Sequence, residues 1–286
     1  MIRGHDSKKK EIHKLLQDRI PPDLLTLVPH RWWYIGDILI FSINNKLLDF
    51  AQSIGEAFLT IERGKARGVF GKVGPTREII RTPEIIHLAG DTNSETIHRE
   101  LGAKFAIDAA KITFSPGNHG ERKRLVDITE QNEFIVDMFS CVGNLSLPLG
   151  VNNNPKKIVA AEINPLAYKF LVKNIDLNKI QNRMIAIFGD NRETLTEYRN
   201  KADRVLSGYF DSDDQQKRLA FSLCKSGGII HFHEAIQTLE DEMNKIIKKF
   251  EDLCEQEGKK IQNISHKRVK KYSPNIEHLV FDVKII

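Results

Sequence analysis

Cysteine is scarce in this chain: Cys141, Cys224 and Cys254 are its three, far apart and without a CxxC pair. That spacing argues against a zinc site or a disulfide framework and fits a reducing, cytoplasmic interior. Long apolar runs are missing too. None approaches the roughly 20 residues needed to cross a bilayer, and the N-terminus has no signal-peptide core, so neither membrane insertion nor secretion is expected. A strong charge of one sign is also lacking. Lys and Arg number 43 against 38 Asp and Glu, a formal net charge of +5, so any grip on a polyanion must come from local clusters. What remains is ordinary for a globular protein: 286 residues, 41% hydrophobic and 28% charged, enough for one large domain or two smaller ones.

The informative stretch runs over 134–178. Its apolar residues predict a strand over 134–138 that carries Asp137 near its end. A loop with Phe139, Cys141 and Gly143 follows, then a helix opening over 144–149, then a second strand over 157–161 that ends in Glu162. Strand, tight loop, helix and strand make one right-handed βαβ unit. Glu162 falls nineteen residues beyond Gly143. An acidic residue about 20 residues past such a loop sits at the second strand's end and bonds ribose hydroxyls. A carboxylate suits a diol because it only accepts hydrogen bonds, whereas the diol offers two donors. The stretch therefore reads as a cradle for an adenosine-containing ligand. A sheet without cofactor gives the same strand–helix pattern; the spacing of Glu162 and the helix start at Asn164-Pro165 favour the cradle.

In chain order, residues 1–30 form an N-terminal extension with a Lys8-Lys9-Lys10 run, either a solvated face or a binding site. Residues 31–114 read as a small β-rich α+β module, with a strand over 35–43, short pieces over 58–62, 68–73 and 78–81, and extended runs over 105–108 and 111–114. Arg63, Lys65, Arg67, Lys72, Arg77 and Arg81 cluster there near Phe70, as a phosphate contact or as a solvated edge that resists strand pairing. Ser115-Pro116-Gly117 marks a boundary, and a charged helix begins over 121–124. Ser115 and Arg122 can hydrogen-bond an amino-acid carboxylate, Arg through its planar fork; a surface charge is the plain alternative for Arg122.

Beyond 178 the alternation continues. Strands are expected over 184–188, 203–209 and 228–233, and helices over 215–224 and 239–254. Asp190 and Asn191 follow the third strand, where they can read an adenine edge. Two last strands, 259–264 and 278–286, close around the basic residues Lys267, Arg268, Lys270 and Lys271. Five strands alternating with helices and then a hairpin give an α/β fold: a class I AdoMet-dependent, Rossmann-like, mostly parallel sheet with a C-terminal antiparallel hairpin, over 115–286, preceded by the small β-rich α+β domain.

With those pieces in place, residues 100–286 resemble the enzymes that modify the purine just 3′ of the tRNA anticodon. The shared pieces stand here as FSPGNHGER, DMFSCVG, EINP, GDNR, DRVLSGY, GGIIHFH and KKYSPNIEHLVFDV. They look more like the wyosine-pathway aminocarboxypropyltransferase branch than the guanine N-methyltransferase branch. The resemblance implies S-adenosyl-L-methionine (AdoMet) as group donor and the tRNA anticodon loop as partner, with no membrane and no metal. It implies transfer of the 3-amino-3-carboxypropyl group to carbon seven of 4-demethylwyosine in tRNA(Phe), with methyl transfer to the same nucleotide and a non-catalytic tRNA-binding relative as alternatives. It places Ser115 and Arg122 on the methionine arm, Glu162 on the ribose, and Asp190 and Asn191 on the adenine side, with Asp137, Phe139 and Gly143 completing the cradle. Lys267, Arg268, Lys270 and Lys271 become candidates for RNA contact.

Three candidates carry the chemistry: Arg122, Tyr209 and His231. Methyltransferases of planar nitrogens often end the fourth strand in an Asn-Pro-Pro-Tyr type turn, but here it reads Ser207-Gly208-Tyr209. Tyr209 can stack on a base, yet the amide that holds a nucleophilic nitrogen is missing. Aminocarboxypropyl transfer instead depends on how the methionine arm is turned. His231 and His233 alternate on one strand face, as a proton acceptor or loop contact, or as structural histidines. Two departures stand out. Cys141 replaces a usual glycine, and the acidic run of residues 211–214 opposes a phosphate backbone.

Overall fold

In the computed structural model the described residues are 3–74, 82–237, 240–273 and 275–286. The chain divides into two compact units, residues 1–99 with 106–116, and residues 100–105 with 117–286.

The first unit starts with helices α1 (Arg3–Leu16) and α2 (Pro22–Leu25). Ile12 and Leu16 of α1 are buried with Leu39, Phe41 and Phe58, as are Ile20 and Val28, so the described part of the expected N-terminal extension packs into this core. Lys8 pairs with Glu62 at 2.7 Å, which takes one of the three lysines out of the solvated face. The apolar run over 35–43 is two strands, β1 (Trp33–Ile35) and β2 (Ile38–Ser42), not one. Gly36 turns between them at a φ of 56°, a left-handed value that glycine adopts without penalty. The piece over 58–62 is not extended either. Ile54, Ala57 and Phe58 are buried at helical spacing, and the segment belongs to helix α3 (Ala51–Ile61). Strands β3 (Gly68–Lys72) and β4 (Ile85–Gly90) complete a sheet of order β1-β2-β3-β4, with β2 and β3 parallel. Strands β5 (Glu95–Glu100) and β6 (Ala103–Asp108) make a separate two-stranded ribbon. The run over 111–114 is turn and loop, because the amides of Lys111 and Ile112 fold back onto the Asp108 carbonyl. The expected piece over 78–81, with Arg77 and Arg81, lies outside the described residues.

The second unit alternates helix and strand: α4 (His119–Ile128), β7 (Phe134–Asp137), α5 (Ser146–Asn152), β8 (Lys157–Glu162), α6 (Pro165–Leu177), β9 (Met184–Phe188), α7 (Asn191–Thr194), β10 (Ala202–Ser207), α8 (Asp214–Leu223), β11 (Cys224–Ile236), α9 (Glu240–Gln256), β12 (Ile261–Ser273) and β13 (Ile276–Ile285). The helix expected from 239 has its first residue outside the described set. The seven strands run in the order β12-β13-β11-β10-β7-β8-β9. β11, β10, β7, β8 and β9 are parallel, while β13 lies antiparallel between β11 and β12. Strand order reverses between β7 and β10, which opens a crevice at their carboxyl ends, the place where such sheets take ligands. Phe221, Phe232, Phe250 and Phe281 form an aromatic core of this unit.

Two expectations about the C-terminal region change. β11 continues to Ile236, three residues past the expected 233, so His231 and His233 lie inside the strand. The basic segment with Lys267, Arg268, Lys270 and Lys271 is strand β12 itself, not the link between strands. Its residues are in register with β13, Lys267 opposite Val280 and Lys270 opposite His278. Lys and Arg suit an edge strand because their charge discourages pairing with another chain.

Candidate active site

The cradle is built at the carboxyl ends of β7 and β8. Asp137 ends β7 fully buried; its Oδ1 accepts from the Phe139 amide at 3.3 Å. Its Oδ2 has no hydrogen-bond partner among the described residues. Burial pushes its pKa up to about 6, against the opposing pull of the Ser146 hydroxyl first and then the Phe139 amide. Loss of hydration disfavours a charged carboxylate until a donor arrives. Glu162 ends β8 and accepts from two backbone amides, Cys141 N–H at 2.6 Å and Asn164 N–H at 2.7 Å. Its pKa is also raised, first by burial, with Asp137 adding repulsion.

Backbone geometry sets the loop between them. Gly143 has a φ of 93°, and a Cβ there would come within 3.0 Å of the Leu147 side chain. Cys141 holds a φ of 53°, a region that costs a side chain roughly 1–2 kcal/mol. This accounts for the glycine usual at that position, and shows that the loop accommodates cysteine by aiming the Cys141 amide at Glu162. Burial, with Glu162 beside it, pushes the Cys141 thiol up, which disfavours its thiolate form. Asn164 caps α6 by accepting from the amides of Leu166 and Ala167, with Pro165 in the first turn. The cap fixes where Glu162 leaves its strand.

Aromatic and amide groups fill the crevice beside the cradle. Phe139, after β7, and Tyr209, after β10, face one another with ring centroids 5.3 Å apart. Asn191 is buried; its side chain donates to the Met138 carbonyl at 2.9 Å and accepts from Gln216 at 3.3 Å, so it pins the loop. Asp190 caps α7 and pairs with Arg192, which holds its carboxyl below the usual range. Both therefore have protein partners at the position where adenine contacts were expected. Two neighbours carry no signal in the sequence: Ile163, next after Glu162, and Phe188, opposite it on β9, are large apolar residues left exposed. Their exposure depends on where the strands stop, which hydrophobicity alone does not reveal.

Arg122 lies on α4, nearly fully buried, and forks Glu100 through Nε at 2.5 Å and Nη2 at 2.9 Å. The plain alternative of a surface charge is thus excluded. Glu100, which also accepts from His119 at 3.1 Å, had no signal in the sequence. Ser115 falls in the first unit. His231 is fully buried, with Nε2 taken by Arg204 at 2.6 Å and Nδ1 by Asp282 at 2.5 Å. The ring is held by the protein on both sides, which favours the structural reading; its role as proton acceptor has no geometric support here. His233 is buried against His278 at 3.0 Å.

The basic residues sort unevenly. Lys267 and Lys271 are exposed, Arg268 pairs with Glu277 at 2.7 Å, and Lys270 is half-buried. The acidic run after Tyr209 is largely absorbed by the fold: Asp213 caps α8 in a capping box with Gln216, and Asp214 pairs with Lys249. In the first unit, Arg67 forks Asp37 and Asp91, an internal anchor and not a free phosphate contact. Among the described residues no cluster has the ligands for a metal ion, and no helix is long and apolar enough to cross a membrane.

A doubly wound sheet with an acidic strand-end cradle and an aromatic crevice at its switch point defines a Rossmann-like fold of the nucleotide-binding kind. Comparison with known proteins narrows this. The family described as TRM5/TYW2 methyltransferase domain matches residues 96–262, and the TYW2 N-terminal domain matches residues 12–94. The chain belongs to the TRM5/TYW2 family. It is 34% identical to the tRNA(Phe) (4-demethylwyosine(37)-C(7)) aminocarboxypropyltransferase of Pyrococcus horikoshii, over 97% of each chain. Among solved structures, P. horikoshii TYW2 in complex with MeSAdo is similar at a TM-score of 0.82 and 32% identity, covering 97% of this chain and 99% of that one. M. jannaschii TYW2 in complex with AdoMet is similar at a TM-score of 0.70 and 32% identity, covering 89% and 99%.

Proposed function

We propose that this chain transfers the 3-amino-3-carboxypropyl group of AdoMet to carbon seven of 4-demethylwyosine in tRNA(Phe), at the purine 3′ of the anticodon. The observation that carries the reading is the full-length likeness to an enzyme of that name, with the TYW2-type first domain present as well. The site fits the donor. Glu162 is the carboxylate we assign to the ribose diol, and Asp137 keeps a buried acceptor oxygen for a donor group. The Phe139–Tyr209 pair supplies flat faces for a purine. Action on tRNA agrees with a cytoplasmic location.

In the transfer, the acceptor carbon forms a bond to the γ-carbon of the methionine arm. The bond between that γ-carbon and the sulfonium sulfur breaks with its electron pair going to sulfur, methylthioadenosine leaves, and the acceptor carbon gives up its proton to water. Three carbons sit on one sulfur, so positioning selects among them. Arg122 is the group we assign to the arm's carboxylate, the same chemistry its fork now performs on Glu100. Aminocarboxypropyl transfer moves the fragment that bears this carboxylate, so Arg122 orients the reacting carbon. Arg122→Lys keeps the charge and loses the fork. It should lower the single-turnover rate, by up to ~100-fold for a misplacement of about an ångström, more than it lowers donor affinity. The assay follows AdoMet labelled in its carboxypropyl carbons onto tRNA. Methyl label on tRNA in place of carboxypropyl label would make the protein a methyltransferase; an unchanged rate in Arg122→Lys would remove this role from Arg122.

A further inference from the structure

We propose that Tyr272, held edge-on by Phe210, is a stacking platform for a second base of the bound RNA, adjacent to the base that is modified. The inference rests on the tRNA-modifying function above and adds a contact to it. Tyr272 is half exposed, a large aromatic ring left in solvent on the edge strand β12. It is not loosely placed. The Phe210 ring meets it at 5.3 Å and an interplanar angle of 84°, and His278 meets Phe210 in turn at 4.6 Å and 68°. Phe210 follows Tyr209 directly in the chain, and Tyr209 faces Phe139. Two aromatic pairs thus follow one another at the carboxyl edge of the sheet, Phe139–Tyr209 within the crevice and Phe210–Tyr272 outside it.

The charge around the outer pair selects the occupant. Lys267 and Lys271 are exposed on the same strand as Tyr272. Lys270 is drawn partly out of water and lies close enough to Arg122 to be repelled by it; burial first, then Arg122, bring its pKa down to about 8. An exposed aromatic face on a lysine-rich strand, with Glu277 opposite Lys271 and Asp211 after Phe210 as the nearby acids in the chain, fits a nucleotide, whose base stacks while its phosphate meets the ammonium groups. An apolar protein partner gains nothing from those charges. An edge strand with two register irregularities near its end, between Arg268 and Lys270 and between Lys271 and Ser273, is also a poor template for strand addition by another chain.

The test uses an anticodon stem-loop RNA carrying 2-aminopurine in place of each nucleotide flanking the modified one. Wild-type protein should quench one of the two probes on binding, and Tyr272→Trp should do the same. Tyr272→Ala should lose the quench and bind the RNA roughly 5- to 150-fold more weakly, with AdoMet affinity unchanged. Should Tyr272→Ala also disturb AdoMet binding, Tyr272→Leu against Tyr272→Trp decides, since only the latter keeps a stacking face; equal RNA affinity for the two overturns the proposal. Unchanged affinity and quench in Tyr272→Ala overturn it as well. So does a concentration-dependent wild-type dimer that Tyr272→Ala abolishes, which would assign the face to a second copy. Wild type that quenches the probe yet deposits no carboxypropyl label on tRNA would leave the platform standing and reject the proposed reaction instead.

Discussion

The second unit buries charge in two places and treats it in opposite ways. At the ends of β7 and β8, Asp137 and Glu162 are met by backbone amides and, for Asp137, serine hydroxyls, with no cation paired to either among the described residues, and both are pushed above the ordinary carboxylate range. Across β10, β11 and β13, a chain of matched groups runs Glu133–Arg204–His231–Asp282–Arg124–Glu121. There Asp282 is brought down to about 2 by His231 and Arg124, despite burial. His231 is lowered by burial, so it stays neutral near pH 7, accepting from Arg204 and donating to Asp282. The matched chain serves the fold: it fastens α4, which carries Arg122, to three strands. The unmatched carboxylates leave acceptor capacity for a ligand. Burial and perturbed pKa occur in both, so the presence or absence of a partner is what separates a site from a strut.

The largest effect should come from breaking the strut. Asp282→Asn leaves Arg124 less than fully compensated in a buried setting and takes the anionic acceptor from His231, and losing one partner of such a pair costs about 3–5 kcal/mol. Urea unfolding at pH 7 should show that loss; a cost below about 1 kcal/mol would mean the groups are solvated after all. The pH dependence has a definite sign. A depressed native pKa makes Asp282's contribution fully present above its unfolded value near 3.8 and lost as pH falls toward about 2. The variant should lack that acid-limb loss.

The cradle should respond in the opposite direction. Asp137's native pKa, raised to about 6, means its charge opposes folding: its contribution is favourable below about 3.8 and lost as pH rises through about 6. Asp137→Asn should therefore stabilise the ligand-free protein at pH 7 by on the order of 2–3 kcal/mol. The same substitution should weaken AdoMet binding, a trade of stability against function. Thermal melts at pH 5 and pH 8 check it; destabilisation at pH 8 would show that the carboxylate is matched like those of the strut.

Glu162→Ala should follow in size. A hydrogen bond to a charged group is worth about 1.5–3 kcal/mol, so AdoMet affinity should drop by that much in calorimetry while the fold persists. Unchanged affinity would take the ribose contact away from Glu162. Truncation also frees the amides of Cys141 and Asn164, so the more conservative Glu162→Gln should retain part of the affinity.

Parts of this were legible in the sequence because they are local. The apolar runs, Gly143, Glu162 and the Asn164-Pro165 cap lie within one βαβ unit, and spacing alone sets their geometry. The fate of His231 is not local. It depends on Asp282, fifty-one residues away, reached through the antiparallel pairing of β11 with β13. Arg122 likewise needs Glu100, twenty-two residues back. The misread pieces over 58–62 and 111–114 were short, and short apolar runs do not distinguish helix, strand and turn. The length of β12 is not marked in the sequence, because its side chains are mostly polar and none is buried, so no alternation of apolar residues shows it.

The smallest effect concerns charges that are neither strut nor cradle. Lys267 and Lys271 stand exposed on β12, whereas Arg268 is already paired with Glu277 and Lys270 is half-buried. If the strand follows the RNA backbone, each phosphate contact contributes roughly 0.7 to 0.9 to the log–log dependence of affinity on salt. Neutralising Lys267 and Lys271 together should flatten that slope by about 1.4 to 1.8, while Arg268→Gln, whose charge Glu277 already engages, should change it by well under 0.7. AdoMet binding should not move in either variant, since neither touches the cradle. Titrations of tRNA binding at several salt concentrations give the slopes directly. A double variant with the wild-type slope would return these lysines to the role that exposed edge strands give them, keeping other chains from pairing. A large change in Arg268→Gln would show that RNA displaces Glu277 from it. The comparison would then gain a third kind of charge, matched in the free protein and reassigned on binding.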